Sequence, residues 1–267
     1  MHDQITPVIL TYNEASNIRR TLEGIRWAGD IVVVDSYSVD ATLNIIASFP
    51  QARVFQRRFD SLSNQCNFAL EETGIQTDWV LSLDADYILT PELVEELRKL
   101  APDPATNAYR ANFIYCIHGK RLRGCAYPPV TVLFRRKHAR YIQDGHAHRV
   151  VVAGRTDDLN SPILHDDRKS LTHWLRSQDV YMQQELSKLG RANGNLYLPD
   201  RLRRTKLLFP FMIFFYCLFL KGGILDGLAG LYYAFQRMLA EILLTLYLIE
   251  EELRGEESGR LESDEVS

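Results

Sequence analysis

The sequence has few cysteines, and none of them form a paired motif. The four are Cys66, Cys116, Cys125 and Cys217. Because no CxxC pair occurs, the sequence argues against a zinc site or a redox motif, and reduced cytosolic thiols are the simplest interpretation. The N-terminus also lacks a basic segment followed by an apolar one, so we expect no secretory signal.

The sequence also lacks the charge imbalance of a nucleic-acid-binding protein, because its formal net charge is only −3. A hydrophobic content of 46% with 24% charged residues predicts a globular chain, and 267 residues suffice for one large domain or a domain with an appendage. Basic residues nevertheless gather just before an apolar run, and glutamates follow that run. The basic residues are Arg201, Arg203, Arg204 and Lys206. Such a cluster predicts contact with anionic lipid headgroups and no nucleic-acid partner.

Strands and helices alternate in the first part of the chain. Apolar runs at 7–10, 30–35, 52–55 and 79–83 predict strands, and helical spacing predicts helices over 18–25, 43–47 and 62–70. This order implies a parallel sheet, in which ligands bind outside the carboxyl ends of the strands. Residues 11–14, Asp35 and residues 84–86 follow those ends. We therefore expect them to share one site.

Two carboxylates, Asp84 and Asp86, end the apolar run at residues 79–83. The period-two direction of side chains predicts that both face one ligand from an extended backbone. Mg²⁺ or Mn²⁺ is usually held by one or two carboxylates plus substrate phosphates, so we expect a cation site for a diphosphate, with Asp86 as the main ligand. The alternative is that both cap the helix beginning near Pro91, although Thr90 already offers a cap.

A nucleotide base needs a stacking surface and a hydrogen-bond partner. Tyr12 can provide the surface, and Asp35 can accept the N3 proton of a uracil-type base. Asn67, Arg57 and Arg58 are available to the phosphates or the sugar. These residues predict a site for a uridine nucleotide.

The pattern changes after Ala108. Residues 109–117, 130–135 and 150–152 resemble strands without intervening helices and predict an antiparallel extension that holds the acceptor. Farther on, the uncharged residues 207–220 are too short for a membrane span of ~20 residues. Charged residues interrupt a second apolar segment at 231–249. We expect two helices lying in, or dipping into, the bilayer interface; a helical pair that packs on the sheet or on another subunit is the alternative.

Three short motifs occur in order within about residues 5–100. They are TYNE at 11–14, VVVDSYSVDAT at 32–42 and WVLSLDADY at 79–87. Together they resemble the family 2 glycosyltransferases of GT-A fold. More loosely, PILHDDRKSL at 162–171 and KGGILDGLAG at 221–230 are similar to the bacterial subgroup that adds sugars to lipopolysaccharide core or other cell-envelope glycans. In two departures, Tyr37 stands where relatives commonly have glycine, and Tyr87 where many have glutamate.

The resemblance implies an α/β protein with a GT-A, Rossmann-like, mostly parallel sheet, an antiparallel acceptor-side extension and a C-terminal apolar helical appendage. We expect a glycosyltransferase domain at 1–200, with a nucleotide-sugar half at about 1–105 and an acceptor half at about 106–200. A membrane-associating helical region is expected at 201–250, and a disordered acidic tail at 251–267.

The resemblance implies that Tyr12, Glu14 and Asp35 contact the nucleotide and that the DAD run at 84–86 binds it through a metal. The predicted nucleotide site comprises Thr11, Tyr12, Glu14, Asp35, Asn67 and Asp84. Asp86 is the predicted metal ligand, and His165 is expected to complete the metal shell. Inversion of the anomeric carbon requires a general base, and the family's familiar glutamate–aspartate pair is not visible. We predict Asp144 as the base, with His146 as the alternative because its ordinary pKa suits the role.

The predicted function is an inverting glycosyltransferase that depends on Mn²⁺ or Mg²⁺. It uses a nucleotide-sugar donor, with UDP-sugar favoured, and a lipid-linked or lipopolysaccharide-type glycan acceptor. Its expected place is the cytoplasmic face of the inner membrane, as a peripheral or monotopic protein. A sugar nucleotidyltransferase also needs paired carboxylates, but residues 11–20 lack the usual glycine-rich phosphate loop. A non-catalytic membrane-bound scaffold is the third alternative, against which the DAD run at 84–86 argues.

Overall fold

The computed structural model describes residues 1–125, 127–144, 147–191, 203, 206 and 208–265. The chain divides into two compact units, Met1–Lys169 and Ser170–Ser267. This boundary falls earlier than the predicted one at residue 200. The reason is that helix Leu171–Arg191 belongs with the C-terminal helices, against which its buried Met182 packs.

The first unit contains thirteen strands and four α-helices among its described residues. The strands are β1 (Ile5–Thr11), β2 (Ile31–Asp35), β3 (Ala52–Gln56), β4 (Trp79–Asp84), β5 (Tyr87–Leu89), β6 (Thr106–Ala111), β7 (Phe113–Ile117), β8 (Lys120–Arg121), β9 (Val130–Arg135), β10 (Ala139–Asp144), β11 (Ala147–Val152), β12 (Arg155–Asp158) and β13 (Ile163–His165). The helices are α1 (Ile18–Gly24), α2 (Thr42–Ile46), α3 (Leu62–Glu72) and α4 (Pro91–Lys99). The predicted alternation of strands and helices up to α4 is confirmed.

Seven strands form the main sheet in the order β12-β6-β9-β4-β1-β2-β3. Strand β1 runs parallel to β2 and β4, and only β9 runs antiparallel to its neighbours β4 and β6. The mostly parallel α/β sheet is therefore confirmed. Strands β6, β9 and β12 extend this sheet, so part of the predicted acceptor half belongs to the same layer as the nucleotide half. The register pairs Thr11 with Asp35 and Leu10 with Asp84, which aligns the carboxyl ends at one edge.

The main sheet is buried on both faces. Ile9, Val33 and Leu81 pack into one apolar cluster, while Val32 and Val80 pack into another. Such strands occur where helices cover both faces of a parallel sheet. Burying each of these side chains contributes ~1.5–3 kcal/mol, which holds the strand ends in fixed positions.

The turn after β4 differs from the extended backbone that the sequence predicts. Strand β4 ends at Asp84, and Ala85 and Asp86 form a turn before β5 begins. Period-two alternation therefore does not relate the two carboxylates. They are also not needed as helix caps, because Thr90 Oγ1 accepts a hydrogen bond from Leu93 N at 3.2 Å.

Two smaller sheets adjoin the main one. In the order β5-β13-β7-β8, strand β13 pairs antiparallel with β5, and its register places His165 opposite Tyr87. Strands β10 and β11 form a separate antiparallel pair. The Tyr141 hydroxyl donates to Ser82 Oγ of β4 at 2.7 Å, which fastens β10 to the strand that carries Asp84.

The second unit is helical in its described part. It contains α5 (Leu171–Arg191), α6 (Phe209–Phe215), a π-helical segment (Tyr216–Leu220), a 3₁₀ turn (Gly223–Asp226) and α7 (Leu228–Glu265). Among the described residues, none of the helices combines the length and the apolar character needed to cross a bilayer. The acidic segment 251–267, predicted to be disordered, instead continues α7 as far as Glu265. Its glutamates and arginines are good helix formers, and Arg254 pairs with Glu250 one turn earlier at 2.6 Å.

Glycines in the segment KGGILDGLAG allow the backbone to approach itself closely. A Cβ atom added at Gly230 would lie 1.9 Å from Gly223 O, closer than any side chain can come. Gly222 has a φ of 74°, in the left-handed region that favours glycine. The glycines of this motif therefore have a structural explanation.

Two of the four predicted lipid-binding cations pair with glutamates in the second unit. Arg203 donates to Glu241 at 2.9 and 3.1 Å and to Glu185 at 3.4 Å, and both glutamates are buried. Lys206 forms an ion pair with Glu252. Arg201 and Arg204 lie outside the described residues. The described part of the basic cluster thus stabilises the helices rather than presenting free charge.

Candidate active site

Asp86 and His165 meet at the carboxyl edge of the sheet. The pairing of β13 with β5 brings His165 Nε2 to 3.0 Å from Asp86 Oδ2. Three tyrosine rings surround the imidazole, with centroids 4.7 to 5.3 Å away. They belong to Tyr87, Tyr115 and Tyr127. This aromatic enclosure fixes the imidazole against the carboxylate that follows β4.

The pair perturbs the acidity of both groups. Burial by itself raises the pKa of Asp86, but the charge and hydrogen bond of His165, with the charge of Lys169, outweigh it and hold that pKa below its ordinary value. Burial lowers the pKa of His165, but the Asp86 carboxylate outweighs that effect and raises the pKa above its ordinary value. Both directions agree with a carboxylate bonded to an imidazolium.

The donor atoms of this pair fit a divalent cation. In the described part of the chain, no three His, Cys, Asp or Glu side chains converge as a preformed metal centre. Mg²⁺ and Mn²⁺, however, commonly take one or two protein ligands and fill their shell with phosphate oxygens and water. The carboxylate oxygen of Asp86 suits Mg²⁺ or Mn²⁺, and the imidazole nitrogen of His165 becomes a ligand once the imidazolium gives up its proton to solvent. Asp86 and His165 could therefore hold an ion together with a diphosphate.

Glu14 forms a second ion pair at the same edge. Lys169 Nζ bonds to Glu14 Oε1, and Asn17 Nδ2 donates to Glu14 Oε2 at 2.9 Å. Burial raises the pKa of Glu14 to about 7, an effect that Lys169 and Asn17 reduce and the charge of Asp86 reinforces. Glu14, Lys169 and Asp86 thus lie close enough to influence one another electrostatically.

The segment after His165 supplies residues that the sequence reasoning missed. Asp166 accepts hydrogen bonds from Arg20 at 2.6 Å and from Arg168 at 2.7 Å. Asp167 accepts from Asn17 at 2.8 Å. These contacts fasten residues 165–169 to the beginning of α1. The charged run DDRK directly after His165 is the signal that could have pointed to them.

Asp35 fixes the loop that follows β2. Its carboxylate accepts from Thr11 Oγ1 at 3.0 Å, from Ser38 N at 2.9 Å, from Ser38 Oγ at 2.5 Å and from Gln56 Nε2 at 3.4 Å. Four bonds fill the acceptor capacity of a carboxylate, and Asp35 is fully buried. Thr11 and Asp35 thus lie at the predicted edge and bond to each other. Direct contact of Asp35 with a base stays a prediction.

The remaining predicted residues have different environments. Tyr12 is more than half exposed (54%) and can meet a ligand. Asp84 ends β4 at the expected edge. Asn67 instead bonds through its amide to both Tyr141 N and Tyr141 O, at 2.9 and 3.0 Å, and so holds β10 against α3. Asp144 is the last residue of β10, and its side chain lies outside the described part, as does the whole of His146.

A family comparison agrees with this architecture. The model of "Glycosyl transferase family 2" matches residues 6–160, more than half of the chain. The chain belongs to glycosyl transferase family 2. The predicted family and enzyme class are thereby confirmed, and the sheet described above is the GT-A fold of a glycosyltransferase.

Relatives of this glycosyltransferase occur in several bacteria. An uncharacterised glycosyltransferase of Rickettsia bellii is 28% identical over 257 residues, covering 88% of this chain and 84% of the relative. A protein of Rhizobium meliloti named lipopolysaccharide core biosynthesis glycosyltransferase LpsC is 25% identical over 256 residues, covering 86% and 89%. Among solved structures, S. aureus TarS 1-349 in complex with UDP-GlcNAc aligns with 94% of this chain and 92% of that one, at 12% identity and a TM-score of 0.48. The similarity to the two sequence relatives includes the second unit.

Proposed function

We propose that this family 2 enzyme is an inverting, divalent-metal-dependent glycosyltransferase that moves a sugar from a nucleotide-sugar donor to a lipid-linked or lipopolysaccharide-type glycan. The observation that carries the proposal is the Asp86–His165 contact of 3.0 Å at the carboxyl edge of the sheet. This is the edge at which parallel sheets bind ligands. The contact also supplies a carboxylate, the ligand that Mn²⁺ and Mg²⁺ prefer, beside an imidazole that can join it when neutral.

The reaction must stabilise a departing diphosphate. A divalent ion held by Asp86 and His165 would neutralise the negative charge that develops on it. Lys169 supplies a second positive charge nearby, since it bonds to Glu14 and lowers the pKa of Asp86. Asn17 and Asp167 hold the segment that carries Lys169, so its position is set by the fold of the first unit.

The donor we favour is a uridine nucleotide. The exposed ring of Tyr12 offers a stacking surface, and Thr11, Asp35 and Ser38 form a hydrogen-bonded support behind it. A loop held this firmly loses little conformational freedom when a base binds.

The acceptor class rests on the name of LpsC, a relative along most of both chains. The general base we propose is Asp144, with His146 as the alternative. The position of Asp144 supports this choice. Tyr141 lies three residues before Asp144 in β10, and its hydroxyl donates to Ser82 of β4, the strand that ends at the proposed site. Asp144→Asn should lower turnover by about 10²-fold and leave nucleotide binding unchanged, because a base acts on the chemical step. Wild-type turnover in both Asp144→Asn and His146→Gln would place the base elsewhere.

We also propose that the second unit binds the cytoplasmic face of the inner membrane as a monotopic surface. An apolar face is exposed along α6 and the turn that follows it. It consists of Leu208, Phe211, Met212, Phe215, Phe219, Leu220, Ile224, Leu225 and Leu228. Exposed apolar surface of this extent is typical of a membrane or protein contact. A site at that membrane face would let a soluble donor meet a lipid-linked acceptor.

The proposed reaction is tested with the purified full chain and a panel of nucleoside diphosphates, with and without Mn²⁺. We expect uridine diphosphate to bind more tightly than guanosine diphosphate, and excess chelator to abolish sugar transfer from the matching donor. Tighter binding of guanosine diphosphate would contradict the donor proposal. Full transfer in excess chelator would contradict the metal requirement.

A further inference from the structure

Tyr37 combines an exposed aromatic ring with a strained backbone. Its φ is 62°, in the left-handed region that favours glycine, and half of its surface (50%) is exposed. A side chain with a Cβ atom costs backbone energy in this region. Since the ring is only half-buried, its packing in the core does not offset that strain. Strained residues of this kind cluster at ligand sites, where binding makes use of the imposed geometry.

Hydrogen bonds fix the loop of Tyr37 beside the loop of Tyr12. Ser36 N donates to Thr11 O at 2.9 Å, Asn13 N donates to Ser38 Oγ at 2.8 Å, and Val39 N donates to Asn13 Oδ1 at 2.9 Å. These bonds join the residues on both sides of Tyr12 to the residues on both sides of Tyr37. Two exposed tyrosines therefore extend from neighbouring loops at the carboxyl edge of the sheet.

We propose that Tyr37 is a second aromatic surface of the donor site and that the nucleobase stacks on it as well as on Tyr12. The inference rests on the proposed function, because it presupposes a nucleotide-sugar donor. A base gains enough by stacking on an aromatic ring to change affinity by about 5- to 100-fold. The free energy of stacking in the donor complex would thus offset the backbone strain of Tyr37.

Three substitutions of Tyr37 distinguish the contribution of its ring to donor binding from the contribution of its backbone conformation. Tyr37→Asn and Tyr37→Gly remove the ring and place residues that tolerate a left-handed φ. Tyr37→Phe retains the ring and removes only the hydroxyl. Val39→Ala is the matched control, because Val39 is an exposed apolar residue (88%) of the same loop without an aromatic ring.

The experiment titrates each full-length variant with uridine diphosphate and Mn²⁺ in a calorimeter and records the melting temperature without ligand. We expect Tyr37→Asn and Tyr37→Gly to bind about 10-fold more weakly. Their melting temperatures should rise by about 2 °C, since strain is relieved. Tyr37→Phe and Val39→Ala should bind within about 2-fold of the wild type.

Wild-type affinity in both Tyr37→Asn and Tyr37→Gly would overturn this inference alone. A lower melting temperature in both would also overturn it, because the ring would then serve packing. Failure of the wild-type protein to bind any nucleoside diphosphate would overturn the proposed function, and this inference with it.

Discussion

Both units of the molecule contain partly or fully buried ion pairs, but the carboxylates of these pairs differ in how far they are exposed to solvent. In the first unit, Asp86 pairs with His165 and Glu14 with Lys169, and each of these side chains remains 15–16% exposed. In the second unit, Arg203 bridges Glu185 and Glu241, whose side chains are only 4% exposed. Both partners of each pair in the first set can therefore be reached by a ligand, whereas in the second set only Arg203 (18% exposed) is reached and the two carboxylates are closed off.

This contrast shows that paired charge does not by itself mark a functional site. The pairs of the first unit lie where parallel strands end, so the diphosphate and cation that we propose could replace the existing partners. The Arg203 cluster lies among helices, where its effect is to set their packing. Removing the arginine of such a buried group takes a hydrogen-bonded positive charge away from two buried carboxylates, which is costly.

The largest expected effect is on the accessible pair. Asp86→Ala should lower sugar transfer by about 10³-fold or more, because it removes a carboxylate ligand of the proposed cation. Asp158→Ala is the control, since it removes an exposed carboxylate paired with Arg110. Equal loss of transfer in both variants would contradict a specific role for Asp86.

The closed cluster should instead govern stability. Arg203→Met should lower the free energy of unfolding by about 3–5 kcal/mol, because two buried carboxylates lose their hydrogen bonds to the guanidinium. Arg254→Ala, at an exposed helical pair, should cost less than about 0.5 kcal/mol. Urea denaturation measures both values. The comparison between the units fails if Arg203→Met is as stable as Arg254→Ala.

Membrane binding should depend on apolar surface more than on charge. Phe215 and Phe219 stack with centroids 5.9 Å apart and are each 54% exposed. Replacing both with serine should weaken flotation with anionic liposomes by about 10²-fold, since each Phe contributes ~1.5–3 kcal/mol when buried. Salt should weaken wild-type flotation only slightly, because Arg203 and Lys206 already have glutamate partners. If 0.5 M salt releases the protein while the serine variant still floats, charge dominates instead.

The smallest expected effect is a pH dependence of stability. Folded Glu14 keeps its proton up to about pH 7, whereas the unfolded chain releases it near 4.5. The folded state therefore binds more protons in this window, and its stability falls as the pH rises from 4.5 to 7. The contribution, spread over the whole of this window, is on the order of 3 kcal/mol. Glu14→Gln should flatten this part of a melting-temperature profile; an unchanged slope would assign the dependence to another group.

Local sequence patterns predicted most elements of the fold. Alternation and helical spacing placed α1 and the strands up to β4, and the run at residues 130–135 matches β9. The Thr90 cap was also evident, because its hydrogen bond joins residues only three positions apart. The fate of the acidic tail was harder to predict, since glutamate-rich sequence suits both an extended helix and a disordered chain.

The contacts that build the site were less predictable because they are distant in sequence. Lys169 bonds to Glu14 across 155 positions, and Asn17 bonds to Asp167 across 150. No local pattern selects such partners. The same holds for Arg203. Its basic neighbours in sequence predict a lipid-facing cluster, but its side chain bonds to Glu241, 38 positions away.

The sequence by itself determined the family, the alternating strands and the carboxylates that end them, because these depend on short motifs and on the period of apolar residues. Tertiary structure decided which of these groups meet. Strand β13 pairs with β5 through backbone hydrogen bonds between segments far apart in the chain, and this pairing brings His165 to Asp86. Tertiary structure also decided that the backbone turns after Asp84 and that Arg203 bonds to two glutamates. Only packing in three dimensions selects among the many partners that a charged side chain could take.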